Sequence, residues 1–266
     1  MLGHDVTAAA ARGGHDVTAL SRRDLDVRDT AAVRAAVAAA RPDAIVNCAA
    51  WTDVDGAEAH EGTATEINGV GAGNVAAAGA FVVHVSSDYV FDGKGREPYT
   101  ESSPTGPIGA YGRSKLAGEI AVAGAAPDAH AIVRSSWLFG EHGGNFVATM
   151  LRLAKERDTL TVVDDQVGCP TFTGHLAQAL VEIAERRLTG IHHVAGAGSC
   201  SWHDLAAATL AATGAAVELS RGRTADLDRP APRPAYSVLR SERPDTPVLP
   251  PWQDGLQAYL ELGVTA

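Results

Sequence analysis

Phe81-Val82-Val83-His84-Val85-Ser86-Ser87-Asp88-Tyr89-Val90 is the stretch that decides the fold. Its first six residues are almost unbroken in apolar character, without the polar alternation of a sheet that faces water on one side. The run therefore predicts a strand covered on both faces. It ends on two serines, and open α/β sheets place their ligands beyond the carboxyl ends of such strands. Before it, Ala44-Ile45-Val46-Asn47-Cys48 reads as another buried strand, and Glu61 to Ala78 as a helix carrying several glycines. After it, a loop from Asp88 to Gly109 leads to a helix from Ala110 to Val122 and the strand Ala131-Ile132-Val133-Arg134. This alternation predicts right-handed crossovers and an α/β fold, a Rossmann-like doubly wound parallel sheet.

The flanks are read on the same signals. Met1 to Arg12 predicts a helix stopped by Gly13-Gly14. Short strands are expected at His15 to Leu20 and at Leu25-Asp26-Val27, and Asp29-Thr30 caps a helix through Ala40. Beyond Gly140 the pattern loosens. Helices are expected at Asn145 to Glu156 and Thr173 to Arg187, a strand at Thr161-Val162-Val163, and a further helix behind the N-cap Ser201. Arg221 to Pro251 is proline-rich and irregular, yet Tyr236, Val238 and Leu239 mark it as packed. We expect a Rossmann-like domain over 1–139, with 161–195 returning to it. A smaller α+β domain spans 140–160 and 196–266.

With 45% hydrophobic and 20% charged residues in 266, the chain can build a core and does not read as disordered. Its net charge of −10 excludes a general nucleic-acid binder, which needs a basic face. No apolar run approaches the ~20 residues of a membrane span, and no signal-peptide core is visible. Cys48, Cys169 and Cys200 are scattered without metal-ligand spacing, which points to the reducing cytoplasm. His192-His193 has no third ligand nearby, and Asp164-Asp165 reads as a loop carboxylate pair, so no metal site is expected.

One constellation carries chemistry. Tyr111 and Lys115 lie four apart on the predicted helix and share a face. Ser87 stands at the strand end 24 residues before the tyrosine. Reduction of a carbonyl by hydride needs a proton donor at oxygen. A phenol with a pKa of ~10 is a slow donor and a poor base near neutrality. An ammonium one turn away favours the phenolate and lowers that pKa, and a serine hydroxyl can hold the substrate oxygen. Lys115 can also reach a nicotinamide ribose. Arg22-Arg23, directly after the second expected strand, stand where cations accept a 2′-phosphate, and no acidic residue replaces them. That favours NADPH and leaves NADH open. For Trp137, core packing and a substrate platform are equally open readings.

His84-Val85-Ser86-Ser87-Asp88-Tyr89-Val90-Phe91-Asp92-Gly93, with Tyr111-Gly112-Arg113-Ser114-Lys115-Leu116-Ala117-Gly118-Glu119, resembles the extended short-chain dehydrogenase/reductase superfamily. Within it the match is to the dTDP-4-dehydrorhamnose reductase family. Asn47-Cys48-Ala49-Ala50-Trp51-Thr52-Asp53-Val54-Asp55, Arg134-Ser135-Ser136-Trp137-Leu138-Phe139, Asp165-Gln166-Val167-Gly168-Cys169-Pro170-Thr171 and Arg233-Pro234-Ala235-Tyr236-Ser237-Val238-Leu239 extend the likeness over nearly the whole chain. The resemblance implies reduction of the 4-keto group of a dTDP-4-dehydro sugar. Ser87, Tyr111 and Lys115 take the catalytic positions. Gly3, Arg22, Asp26, Val27, Ala49, Ala50, Thr52, Asn68 and Ser86 match cofactor-lining positions, alongside Tyr111 and Lys115. Val54, Ser87, Asp88, Tyr89 and Trp137 match sugar-nucleotide contacts. Arg233 and Tyr236 are expected to grip the substrate, an arginine being able to pair with a diphosphate as a fork.

Two departures accompany the likeness. Of the family's Gly-x-x-Gly-x-x-Gly fingerprint only Gly3 is present, as the third glycine, and the strand before it is absent. The chain is therefore expected to be incomplete at its start, Met1 being internal, by on the order of 8–10 residues of strand and turn. The helix between Asn74 and Gly79 also reads about one turn short. The competing expectations are a reductase of another dTDP-4-keto-6-deoxysugar and a non-catalytic relative like the methionine adenosyltransferase β subunit. Sugar stereochemistry, Mg²⁺ dependence and the choice between monomer and homodimer stay open.

Overall fold

Successive residues of a strand point to opposite faces, and the Phe81–Ser87 strand uses both. Phe81 and Val83 face one core and Val82 faces another, all nearly inaccessible. The protein was analysed as a computed structural model, which describes residues 1–263. Ala44–Asn47, Phe81–Ser87, His130–Ser135 and Gly190–His193 form a four-stranded sheet in that order, every neighbour parallel. The register sets Val46 beside Val83, Val83 beside Ala131, and Ser86 beside Arg134.

Helices cover both faces, as a doubly wound sheet requires. On one side Leu2–Arg12 and Thr173–Arg186 bury Leu2, Val6, Leu176, Leu180 and Ile183 against Val83 and Val133. On the other, Thr30–Ala40, Ala72–Ala76 and Ala110–Ala125 bury Val33, Val75 and Val122 against Val82 and Ile132.

The expected strands at His15 to Leu20 and Leu25 to Val27 do not form. Residues 15–20 are exposed and join no ladder, and 25–27 lie in a turn and loop. A strand exists only through the ladder of its neighbour, and among the described residues none pairs with the outer edge of Ala44–Asn47. Strand order in the sheet consequently follows chain order without a reversal. The helix expected over Glu61 to Ala78 is also divided. A π-helical turn at Glu66–Gly71 separates Glu61–Thr65 from Ala72–Ala76. Such turns concentrate at functional sites.

The second lobe has its own core of Phe139, Val147, Leu205, Trp252, Leu256 and Tyr259. Thr159–Val163, expected to return to the main sheet, pairs instead with Glu218–Gly222, whereas Gly190–His193 is the fourth strand of that sheet and Thr173–Arg186 packs on its face. The proline-rich segment laces the two lobes together. Tyr99 and Leu239 form a bridge, the Tyr236 N–H donates to the Gly93 carbonyl, and the Ser237 N–H donates to Val167. Among the described residues no helix is long and apolar enough to cross a membrane.

Candidate active site

Ser87, Tyr111 and Lys115 meet at the carboxyl end of the Phe81–Ser87 strand. Ser87 is buried, caps the short turn Asp88–Val90 by accepting the Tyr89 N–H at 3.1 Å, and donates to Asp88 Oδ1 at 2.9 Å. The Ser87 hydroxyl lies close enough to the phenol of Tyr111 to favour its ionised form. Tyr111 is the second residue of the Ala110–Ala125 helix, whose first N–H donates to Glu58 Oε1 at 2.8 Å. Close approach makes this geometry possible. A Cβ on Gly112 would stand 2.2 Å from the Tyr89 carbonyl oxygen, and one on Gly118 would stand 2.2 Å from that of Asn68. Only glycine lets the helix sit so near the strand-end turn.

Lys115 is 2% exposed and donates from Nζ to the Val85 carbonyl at 2.7 Å. Burial lowers its pKa to about 8, and the Glu119 charge opposes this. Tyr111 goes the other way. Burial raises its pKa to about 12, the Ser87 hydroxyl opposes this, and the Asp88 charge adds to it. The expected ammonium effect on the phenol is therefore outweighed. Desolvation disfavours phenolate, and the ammonium points at the Val85 carbonyl. The group is held as a proton donor.

Asp88 lies beside this pair, 1% exposed, with the Ser87 hydroxyl on Oδ1 and Ser237 nearby. Burial raises its pKa to about 6, and Oδ2 has no partner. Buried polar atoms ordinarily have partners, so this orphaned oxygen on a residue next to Ser87 is an unmet acceptor. Tyr89 packs edge-on against Tyr111 at 5.5 Å.

Several expected cofactor residues are committed to the protein itself. Asn68, on the π-helical turn, is fully buried and spends its amide on the frame. Oδ1 accepts the Trp51 N–H at 2.8 Å, and Nδ2 donates to the Trp51 carbonyl and to Ser114 Oγ. It ties the loop carrying Ala49, Ala50 and Thr52 to the Tyr111 helix. Ser86 donates to Glu119 at 2.6 Å, and Glu119 takes a buried fork from Arg134. That strand-end serine is thus structural. Asp26 pairs with Arg28, which holds its carboxyl at about 2, and Val27 packs beneath Gly71. Arg22 and Arg23 are exposed, without an ion pair among the described residues. Gly3, at the start of the first helix, faces Cys48 in the strand-end loop. Ala49 and Thr52 are exposed, while Ala50 and Val54 are half-buried.

In the second lobe Trp137 takes a left-handed backbone, φ 49°, and stacks on Trp202 at 3.6 Å. Gly168 lies against the indole so closely that a Cβ would stand 2.5 Å away. One ring face is therefore occupied by packing. Tyr236 is half-buried and tilts against Tyr99, and Arg233 forks onto Asp55. Asp55 and Ser237 were not among the expected contacts, although both stand inside quoted motifs. Asp165 accepts from Thr224, away from Asp164. Asp164, His203 and Asp204 do put ligand atoms within 4.8 Å of one another. Arg221 pairs with Asp164 and reaches Asp204 at 3.8 Å, so a guanidinium already supplies the positive charge at this helix N-terminus.

A parallel α/β sheet with a serine, a tyrosine and a lysine converging at a strand end defines a short-chain dehydrogenase/reductase type of oxidoreductase. The family profile described as RmlD substrate binding domain matches residues 1–264. A dTDP-4-dehydrorhamnose reductase of Streptomyces griseus is 47% identical, covering 91% of this chain and 83% of that protein. A dTDP-4-keto-6-deoxy-D-glucose reductase of Streptomyces niveus is also 47% identical, over 90% and 85%. The solved dTDP-4-dehydrorhamnose reductase of Bacillus anthracis, in complex with NADP, superposes with a TM-score of 0.95 at 36% identity, over 98% and 95%. The chain belongs to the dTDP-4-dehydrorhamnose reductase family.

Proposed function

We propose that this chain reduces the 4-keto group of dTDP-4-dehydro-L-rhamnose to give dTDP-L-rhamnose, using NADPH, in the cytoplasm. The convergence of Ser87, Tyr111 and Lys115 at one strand end carries the reading. The residues present suit a nicotinamide cofactor and a sugar. Lys115 keeps two protons beyond its bond to Val85, Arg22 and Arg23 carry no ion pair among the described residues and suit a 2′-phosphate, and Asp88 Oδ2 is an unmet acceptor. The NADP complex of the Bacillus anthracis relative supports the same choice.

When bound, the reduced nicotinamide supplies hydride to the sugar C4. Ser87 turns its hydroxyl from Asp88 Oδ1 to donate to the keto oxygen and fixes its place. As the C–O π electrons move onto that oxygen, Tyr111 gives it the phenolic proton, completing the alcohol. Lys115, charged below its pKa of about 8 and anchored on the Val85 carbonyl, keeps two further donors for the cofactor ribose. Asp88 accepts a sugar hydroxyl through Oδ2.

Loss of NADPH absorbance with dTDP-4-dehydro-L-rhamnose tests the proposal. Wild type turns over, and Tyr111→Phe loses about 10²-fold or more in kcat while binding NADPH normally. No turnover by wild type refutes it. A second reading, reduction of another dTDP-4-keto-6-deoxysugar, draws on the Streptomyces niveus relative. Comparing the keto-sugars in one assay decides between them.

A further inference from the structure

Asp55 sits on the short Val54–Ala59 helix behind the strand-end loop, and its carboxylate is engaged from the far end of the chain. Arg233 meets it as a fork, Nη1 on Oδ1 at 3.1 Å and Nη2 on Oδ2 at 2.8 Å. Arg229 donates to Oδ2 at 3.0 Å, and the Ala231 N–H donates to Oδ1 at 3.2 Å. One side chain thus gathers residues 229–233 across at least 174 positions of sequence.

This strap lies over the proton donor. Pro232 packs where a Cβ on Gly109, two residues before Tyr111, would stand at 3.5 Å. Pro234 packs against Gly93, and Arg233 lies beside Tyr89, whose ring meets Tyr111 edge-on. The arginines differ in access: Arg229 is 57% exposed and Arg233 is 16%. The cluster of Asp55, Arg229 and Arg233 itself carries one net positive charge in a chain of net charge −10. A bidentate carboxylate also fixes the plane of a guanidinium, which otherwise loses rotamer freedom when a ligand orders it.

We propose that Asp55 is a positioning residue for the nucleotide sugar. It holds Arg233 and Arg229 as a preformed cationic clamp and seats the strap beside the Tyr111 helix. The two arginines then meet the substrate diphosphate without being ordered at binding. Asp55 itself touches no substrate. The role rests on the nucleotide-sugar reading above.

The test is calorimetric titration of the full chain with dTDP and with thymidine, joined to steady-state kinetics. Asp55→Asn is expected to weaken dTDP about tenfold and raise the sugar-nucleotide KM alike. Its kcat stays within about threefold, and its thymidine and NADPH affinities are unchanged. Asp55→Glu regains most of the loss, which a role in packing alone does not predict. Arg229→Ala, at an exposed site, weakens dTDP severalfold and covers the case in which Asp55→Asn fails to fold. Asp55→Asn with lowered Tm but wild-type dTDP affinity overturns the proposal, leaving Asp55 a brace between lobes. A wild type that neither binds dTDP nor reduces the keto-sugar overturns the functional reading, and this role with it.

Discussion

The Lys115 ammonium donates to the Val85 carbonyl at 2.7 Å and is not among the groups that shift Tyr111 one helical turn away. The lysine is thereby locked under the strand end, where burial rather than a partner dominates its titration. Two neighbouring groups with opposite shifts result: a lysine that deprotonates early and a phenol that holds its proton.

Lys115 carries charge below about pH 8 and loses it above. Reduction is accordingly expected to fall on the alkaline side through that pH. Lys115→Arg, which stays charged, moves the limb to higher pH with part of the activity kept. A pH–rate profile of kcat/KM for both proteins checks this, and an unmoved limb assigns the titration to another group.

Asp88 has a folded-state pKa raised to about 6, above the ordinary 3.8 of the unfolded chain. The native state holds its proton where the unfolded state releases it. Its contribution to stability is therefore full below 3.8 and is lost as pH rises through 6. Asp88→Asn removes the buried charge and is expected to be more stable than wild type at pH 7.5, by up to about 3 kcal/mol. The two proteins converge near pH 4. Thermal unfolding at both pH values measures the gap, and kcat falls with the lost acceptor.

Glu119→Gln leaves the 3%-exposed Arg134 without its counter-charge. We expect a loss of about 3–5 kcal/mol, read as a lower urea midpoint. The Glu119 charge also raises the Lys115 pKa, so the alkaline limb should move below pH 8 in this variant. A midpoint change without movement of the limb separates the two effects.

Arg22→Ala is expected to raise the NADPH KM about tenfold or more and leave the NADH KM nearly unchanged, because only one cofactor carries the 2′-phosphate. Paired steady-state assays with both cofactors suffice. Equal effects on the two place Arg22 outside the phosphate site.

Local spacing made Ser87, Tyr111 and Lys115 legible. A strand ends where its apolar run ends, and residues four apart share a helix face. The short strands expected at 15–20 and 25–27 do not form, for the complementary reason. Their apolar pattern suits a strand, but a ladder needs a neighbour, and no local signal reports whether one is there. Ser86 differs from Ser87 by one position in a period-two element, which turns it away to Glu119. Asn68 has the chemistry of a ligand, yet its partners Trp51 and Ser114 lie 17 and 46 residues away.

The sequence by itself determined the α/β class, the strand that ends the site and the chemistry of its three reacting side chains. These follow from periodicity and residue type over short distances. Tertiary structure alone decided that Tyr111 is held protonated, that Asn68 frames the site, and that Asp55 reaches Arg233 across 178 positions. Desolvation and long-range pairing depend on what surrounds a group after the chain has folded, and neither is written in its neighbours along the chain.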